Sequence, residues 1–235
     1  MEISYLSSEQ NLRQTLIGRT QTKGTIMKIA VVAANGREGQ LVVKEAVERG
    51  HDVTAVVRGD NKTVAKNVVV KDLFNLTAAD LAGFDVVVDA FGAWTPEMLP
   101  QHSSSLKHLC DILSGVNTRL IVVGGAGSLY VNPEHTTQLK DLPTFPAEFK
   151  PLAEAQGKAL EELRERSDVK WTFISPAADF QADGERVGSY ETAGEELTVN
   201  AAGESYISYA AYAIAVVDEA EQAAYVGERF SVYAK

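Results

Sequence analysis

Ala33, Gly36 and Gly39, spaced three residues apart, are the residues whose types and spacing speak first of chemistry. They lie in KIAVVAANGREG, Lys28 to Gly39, where an apolar run passes through a short turn into a helical pattern. At such a junction the free N–H groups of a helix start converge with the positive end of its dipole. Glycines there let the main chain approach a bound diphosphate. The full spacing would be G-x-x-G-x-x-G, and alanine holds its first position. Two accounts of Ala33 stay open. Its methyl either strains the tight passage or crowds the diphosphate, at about 1–3 kcal/mol, or Asn35 re-routes the turn so that Ala33 rests at negative φ. Asn35, Arg37 and Glu38 complete the candidate diphosphate turn.

Arg58 follows the apolar run Val53–Val57. An acidic residue there would hold a ribose 2′-hydroxyl, whereas a guanidinium suits a 2′-phosphate. Arg37 can supply a second fork. NADPH is therefore the expected cofactor, with NAD as the alternative; an Arg58 simply solvated and paired with Asp60 is the competing account. Three further turns close apolar runs: Asp72-Leu73-Phe74, suited to flank an adenine, Ala90-Phe91-Gly92 after Asp89, and Gly124-Gly125-Ala126 before Gly127 and Ser128. Small residues at the carboxyl ends of parallel strands line ligand crevices. Ser128 is the candidate catalytic hydroxyl, and a turn-capping serine explains it equally well. The spacings of His102, His108 and Cys110 do not share a helix face, so no metal site is expected. His135 is a candidate substrate contact from a loop.

The elements that must position these residues follow from periodicity. Near-continuous Val/Ile runs at Ile29–Ala33, Val53–Val57, Val68–Val70, Val86–Val88, Leu120–Val123 and Trp171–Ile174 predict strands buried on both faces, hence a parallel sheet. Helical patterns lie between them over Glu38–Arg49, closed by Gly50, over Pro96–Leu113 and over Ala147–Arg166. In the last, Phe149, Leu152, Gln156, Leu160 and Leu163 share a face, and Glu162 is spaced to pair with Arg166. The alternation predicts an α/β fold with a doubly wound parallel sheet. After Pro176 the rhythm changes: short strands at Leu197–Val199 and Tyr206–Ser208, a helix over Ala210–Glu221 and a last strand at Arg229–Val232 predict a small C-terminal, substrate-side appendage.

The length of 235 residues suits one such domain. A net charge of −10 opposes nucleic-acid binding, which needs a basic stripe. The single cysteine excludes an intrachain disulfide and fits a reducing cytoplasm. No apolar run reaches the ~18 residues of a membrane span. Residues 1–26 carry acidic residues and no long apolar stretch, so they do not form a signal peptide. They are expected to be an extension ahead of Met27, with a helical arm over Leu6–Ile17 as the alternative.

From Met27 onward the chain resembles the atypical short-chain dehydrogenase/reductase group with an NAD(P)H-binding domain, the NADH-flavin reductase-like proteins. It is also distantly similar to biliverdin reductase B and to NmrA-like regulators. The resemblance rests on KIAVVAANGREG, the Val56-Val57-Arg58 strand end, VVDAFG, VVGGAGSL and WTFISPAADFQADGERVGSY. It implies a Rossmann-like fold, NAD(P)H binding with Lys150 and Pro176 among the contacts, and reduction of a small flavin- or quinone-like acceptor. A homodimer is admissible, and a redox-sensing regulator is the alternative. The Tyr-x-x-x-Lys pair of ordinary short-chain dehydrogenases is absent, and Phe149 precedes Lys150 where relatives often have Tyr-Lys. A phenylalanine cannot donate a proton.

Overall fold

The computed structural model describes residues 25–235; the arm considered over Leu6–Ile17 lies outside them. Strand β1 (Lys28–Val32) leads into α1 (Arg37–Glu48), then β2 (Asp52–Val57), β3 (Asn67–Val70), a single 3-10 turn at Leu73–Asn75, β4 (Val86–Asp89) and α2 (Gln101–Ile112). The second half runs β5 (Arg119–Val123), α3 (Lys150–Arg164), β6 (Lys170–Ser175), β7 (Asp179–Gln181), β8 (Tyr190–Ala193), β9 (Tyr206–Ser208), α4 (Tyr209–Gln222) and β10 (Glu228–Ala234).

Eight strands form one sheet in the order β3-β2-β1-β4-β5-β6-β10-β8. All neighbours are parallel except β10 with β8. The chain moves outward from β1 through β2 to β3, then crosses back to lay β4 on the other side of β1. At that reversal the connections leave to opposite faces, so a crevice opens outside the carboxyl ends of β1 and β4.

Alternation along each strand builds two cores. Ile29, Val31, Val86, Val88 and Ile121 point to the face covered by α1 and α4, where Val42, Val43, Ala46, Tyr212 and Val216 meet them. Ala30, Val32, Val87, Leu120 and Val122 point to the opposite face, under Leu106, Leu109, Leu160 and Leu163 of α2 and α3. Gly50 ends α1 with φ +87, a conformation open to glycine at no steric cost.

Several expectations are corrected. Val68 and Val70 are exposed because β3 is the sheet's edge, so that run is not buried on both faces. Residues Pro96–Pro100 form turns, and α2 starts only at Gln101. Leu197–Val199 is not a strand; the N–H of its first residue, Leu197, instead donates to Tyr130 O at 2.8 Å. Arg166 pairs with Asp111 and Asp168, while Glu162 pairs with Lys158. The C-terminal part divides: β10 and β8 extend the main sheet and α4 packs on α1, whereas β7 and β9 form a separate two-stranded sheet. Among the described residues no helix is long and apolar enough to cross a membrane.

Candidate cofactor and active site

The turn between β1 and α1 is tight. Gly36 N–H returns to Ala33 O at 2.9 Å, and Ala34 N–H bonds Val56 O at 3.2 Å. Ala33 sits at φ +57, so the account that placed it at negative φ does not hold. Gly36 caps α1 in an extended conformation with no side-chain hydrogen bond. The first in-helix bond there is Gln40 N–H to Gly36 O, at 3.0 Å. The N–H groups of Arg37, Glu38 and Gly39 are thereby left without a helical acceptor, the arrangement that receives an anion. Gly39 does a different job: a Cβ there would stand 2.9 Å from Ala33 O and from Ala34 Cα, so glycine lets α1 lie close on β1. Asn35 joins this turn to the loop after β2. Its Nδ2 donates to Asp60 O and its Oδ1 accepts from Lys62 N–H, each at 2.8 Å.

Above the carboxyl strand ends lies one cleft of about 1250 Å³. It is lined by Ala33, Asn35, Gly36, Arg37, Glu38, Arg58, Asp72, Leu73, Ala90, Phe91, Gly92, Gly124, Gly125, Ala126 and Pro176. At one end stand Arg58 and Lys62, exposed and, among the described residues, without a carboxylate partner. Arg58 thus does not pair with Asp60. Arg37 does not join it: its guanidinium is paired with Asp183. Asp72 Oδ1 accepts from Phe74 N–H at 2.9 Å and so opens the 3-10 turn at the rim of the cleft.

At the other end the lining turns aromatic, with Phe91, Trp94, Phe145 and Phe149 around Met98 and Leu152. Trp94 is 68% and Phe149 52% exposed, although both are large and apolar. Gln156 reaches the glycine turn, where a Cβ on Gly125 would meet its Oε1. Phe180 stacks on Tyr209 and Tyr212 at 4.0 and 4.9 Å between ring centres, and Phe180 and Tyr209 both reach the cleft. Lys62, Trp94, Phe145, Gln156, Phe180 and Tyr209 were not among the expected contacts. Phe145 and Trp94, aromatic residues near prolines in loops that follow strands, were the available signal.

Besides Gly39, three expected site residues fall outside the lining. Ser128 is buried, with its Cβ facing Gly157 of α3. Lys150 is exposed at the start of α3. His135 stacks on Tyr130 at 4.5 Å and meets Glu196, away from the cleft. Among the described residues no set of three His, Cys, Asp or Glu side chains is gathered for a metal ion. Burial pushes the Cys110 thiol up to about 12.

Two acids are perturbed beside the cleft. Asp89, at the end of β4, is pushed up to about 6 by burial, with the Phe91 N–H bond to its Oδ1 opposing in part. Glu38 is raised well above the usual carboxylate range by burial alone. His102 is lowered by burial and bonds the main chain of Ala93.

The chain matches the NAD(P)H-binding family over residues 33–220. YwnB of Bacillus subtilis (strain 168) is 48% identical over 209 residues, 88% of this chain and 98% of YwnB. Among solved structures, SP1627 of Streptococcus pneumoniae TIGR4, provisionally named an NADH-flavin reductase, is similar with TM-score 0.87 and 54% identity, over 89% of this chain and 100% of that one. A Bacteroides thetaiotaomicron protein provisionally named an epimerase has TM-score 0.78 and 32% identity, over 89% and 98% of the two chains. The cleft exceeds the roughly 300–1,000 Å³ of ordinary small-molecule sites, and its open N–H groups and basic end suit a dinucleotide of diphosphate and adenosine. Geometry and likeness agree, and this chain belongs to the NAD(P)H-binding family, among the atypical short-chain dehydrogenase/reductase-like proteins.

Proposed function

We propose that the protein is an NADPH-dependent reductase of low specificity that passes hydride to a flat, conjugated acceptor such as a flavin or quinone. The observation that carries this reading is the aromatic mouth of the cleft, Phe91, Trp94, Phe145 and Phe149; Phe149, where the resemblance implies a tyrosine, has no proton to give. When bound, the dihydronicotinamide supplies the hydride. The chain's part is positioning: aromatic faces stack on a planar ring, and the glycine turns admit close approach. Flavin and quinone anions take protons from water, so this acceptor class needs no side-chain acid. Carbonyl reduction and sugar-nucleotide epimerisation do need one. Arg58 and Lys62 support NADPH over NADH by their charge at the adenosine end.

The test is to titrate the protein with NADPH and NADH, then add FMN or a quinone and follow nicotinamide absorbance. Oxidation well above the uncatalysed rate is the expected result. Tight NADPH binding without turnover would select instead a redox-sensing binding protein, which the same missing acid suits.

A further inference from the structure

Glu38, the second residue of α1, lines the cleft with its side chain only 7% exposed as a residue, and neither carboxyl oxygen has a hydrogen-bond partner. Buried polar groups are nearly always satisfied, so an orphaned pair beside a ligand cleft points to a partner that arrives with the ligand. Among the described residues no cation is positioned to be that partner. Arg37, on the same helix, is turned to Asp183, and Arg186, from the segment after β7, is held by Glu45. From α4 come the phenols of Tyr209 and Tyr212, the latter donating to Ile174 O at 2.7 Å. Asp179 of β7 also lines the cleft, whereas Asp89 of β4 lies on the other face of the sheet, among Leu106, Val122 and Phe173. Burial with no compensating charge keeps a carboxyl in its neutral form, which, unlike a carboxylate, is a hydrogen-bond donor. The N–H groups of Arg37, Glu38 and Gly39 mark this as the anion-receiving part of the cleft.

We propose that Glu38 binds the dinucleotide as a neutral carboxylic acid, donating its O–H to an oxygen of the diphosphate, so that cofactor binding is coupled to one proton. The coupling rests on the cofactor reading of the cleft. An ionised Glu38 would set negative charge beside the diphosphate and lose its donor. Affinity is therefore full below the pKa of Glu38 in the free protein and falls as pH rises through it, by up to about tenfold per pH unit. Above that pKa, binding draws the missing proton from the solvent buffer.

The experiment is calorimetric titration with NADPH between about pH 6 and about pH 9.5 for the native protein and for Glu38→Gln, whose carboxamide donates at every pH. Titration of the ligand's own phosphate is common to both proteins and cancels in their ratio. The native Kd is expected to rise at least tenfold more than that of Glu38→Gln across the range. Titrations in two buffers of different ionisation enthalpy should show the native protein taking up a proton at the alkaline end and the variant taking up none. Parallel pH slopes overturn the proposal. Should the variant not fold, the native protein decides alone, and binding at the alkaline end without proton uptake overturns it. Failure of both folded proteins to bind NADPH at all overturns the cofactor reading and this coupling together, a result distinct from binding with parallel slopes.

Discussion

Arg58 and Lys62 present positive charge at the end of the cleft proposed to take the adenosine, with no carboxylate paired to either among the described residues. Arg37, held by Asp183, leaves most of the recognition of a 2′-phosphate to Arg58. NADPH is expected to bind at least tenfold better than NADH, a gap of about 1.4 kcal/mol, and Arg58→Ala to erase most of it. Dissociation constants for the two cofactors check this, and equal values in the native protein would overturn it. Asp89 makes a stability prediction of its own. With a folded-state pKa near 6 against an ordinary 3.8, the folded protein holds the proton more tightly than the unfolded chain. Its contribution is complete below about pH 4 and is lost as pH rises through about 6. Asp89→Asn keeps an oxygen for Phe91 N–H and removes the buried charge. It should raise stability by up to about 3 kcal/mol near pH 8 and leave it unchanged near pH 4. Denaturant melts at the two pH values read the difference.

The turn from β1 into α1 is where local rules are strained. Ala33 at φ +57 pays the left-handed penalty of an L-residue, about 1–2 kcal/mol. Ala33→Gly should relieve roughly 1 kcal/mol of it after glycine's own entropy is counted, raising the thermal midpoint by about 2–4 °C. NADPH binding should tighten or hold. A lowered midpoint would mean that surrounding contacts, not the turn, set this φ. The elements themselves were largely legible, since runs such as Ile29–Val32 and Val86–Val88 are apolar for both cores at once. Strand β8, Tyr190–Ala193, was not. It pairs antiparallel at an edge, half-buried throughout, so no burial pattern marks it. Edge position hid the exposure of Val68 and Val70 for the same reason. At the site, the glycine turns and Arg58 could be read from spacing, but the burial of Ser128 could not. That depends on α3 lying against its loop at Gly157.

Across the whole molecule, distant charged pairs decide how the late strands close the sheet. Arg229 of β10 is buried, its guanidinium bonded to the Glu195 carboxylate, Ser175 Oγ at 3.2 Å and Ser128 O at 3.3 Å. It thereby ties β10 to β6, to the loop after β5 and to the segment beyond β8. Arg229→Ala would leave Glu195 with Arg164 alone and strand acceptors in the interior. A loss of about 3–5 kcal/mol is expected, with a fall of roughly 10 °C in thermal midpoint; a change below about 1 kcal/mol would show that solvent replaces the guanidinium. Such partners could not be anticipated from helical spacing, because they come from different layers.

The hydrogen bonds of Asn35 bear on redesign. Its amide clips the backbone of Asp60 and Lys62 to the β1–α1 turn, so the loop proposed to discriminate between cofactors and the turn proposed to seat them are mechanically one part. A loop grafted from an NAD-preferring relative would have to present a carbonyl and an N–H at the same two places. Otherwise it would lose grip on the diphosphate along with the 2′-phosphate, and exchanging Arg58 alone is the cleaner route to altered preference.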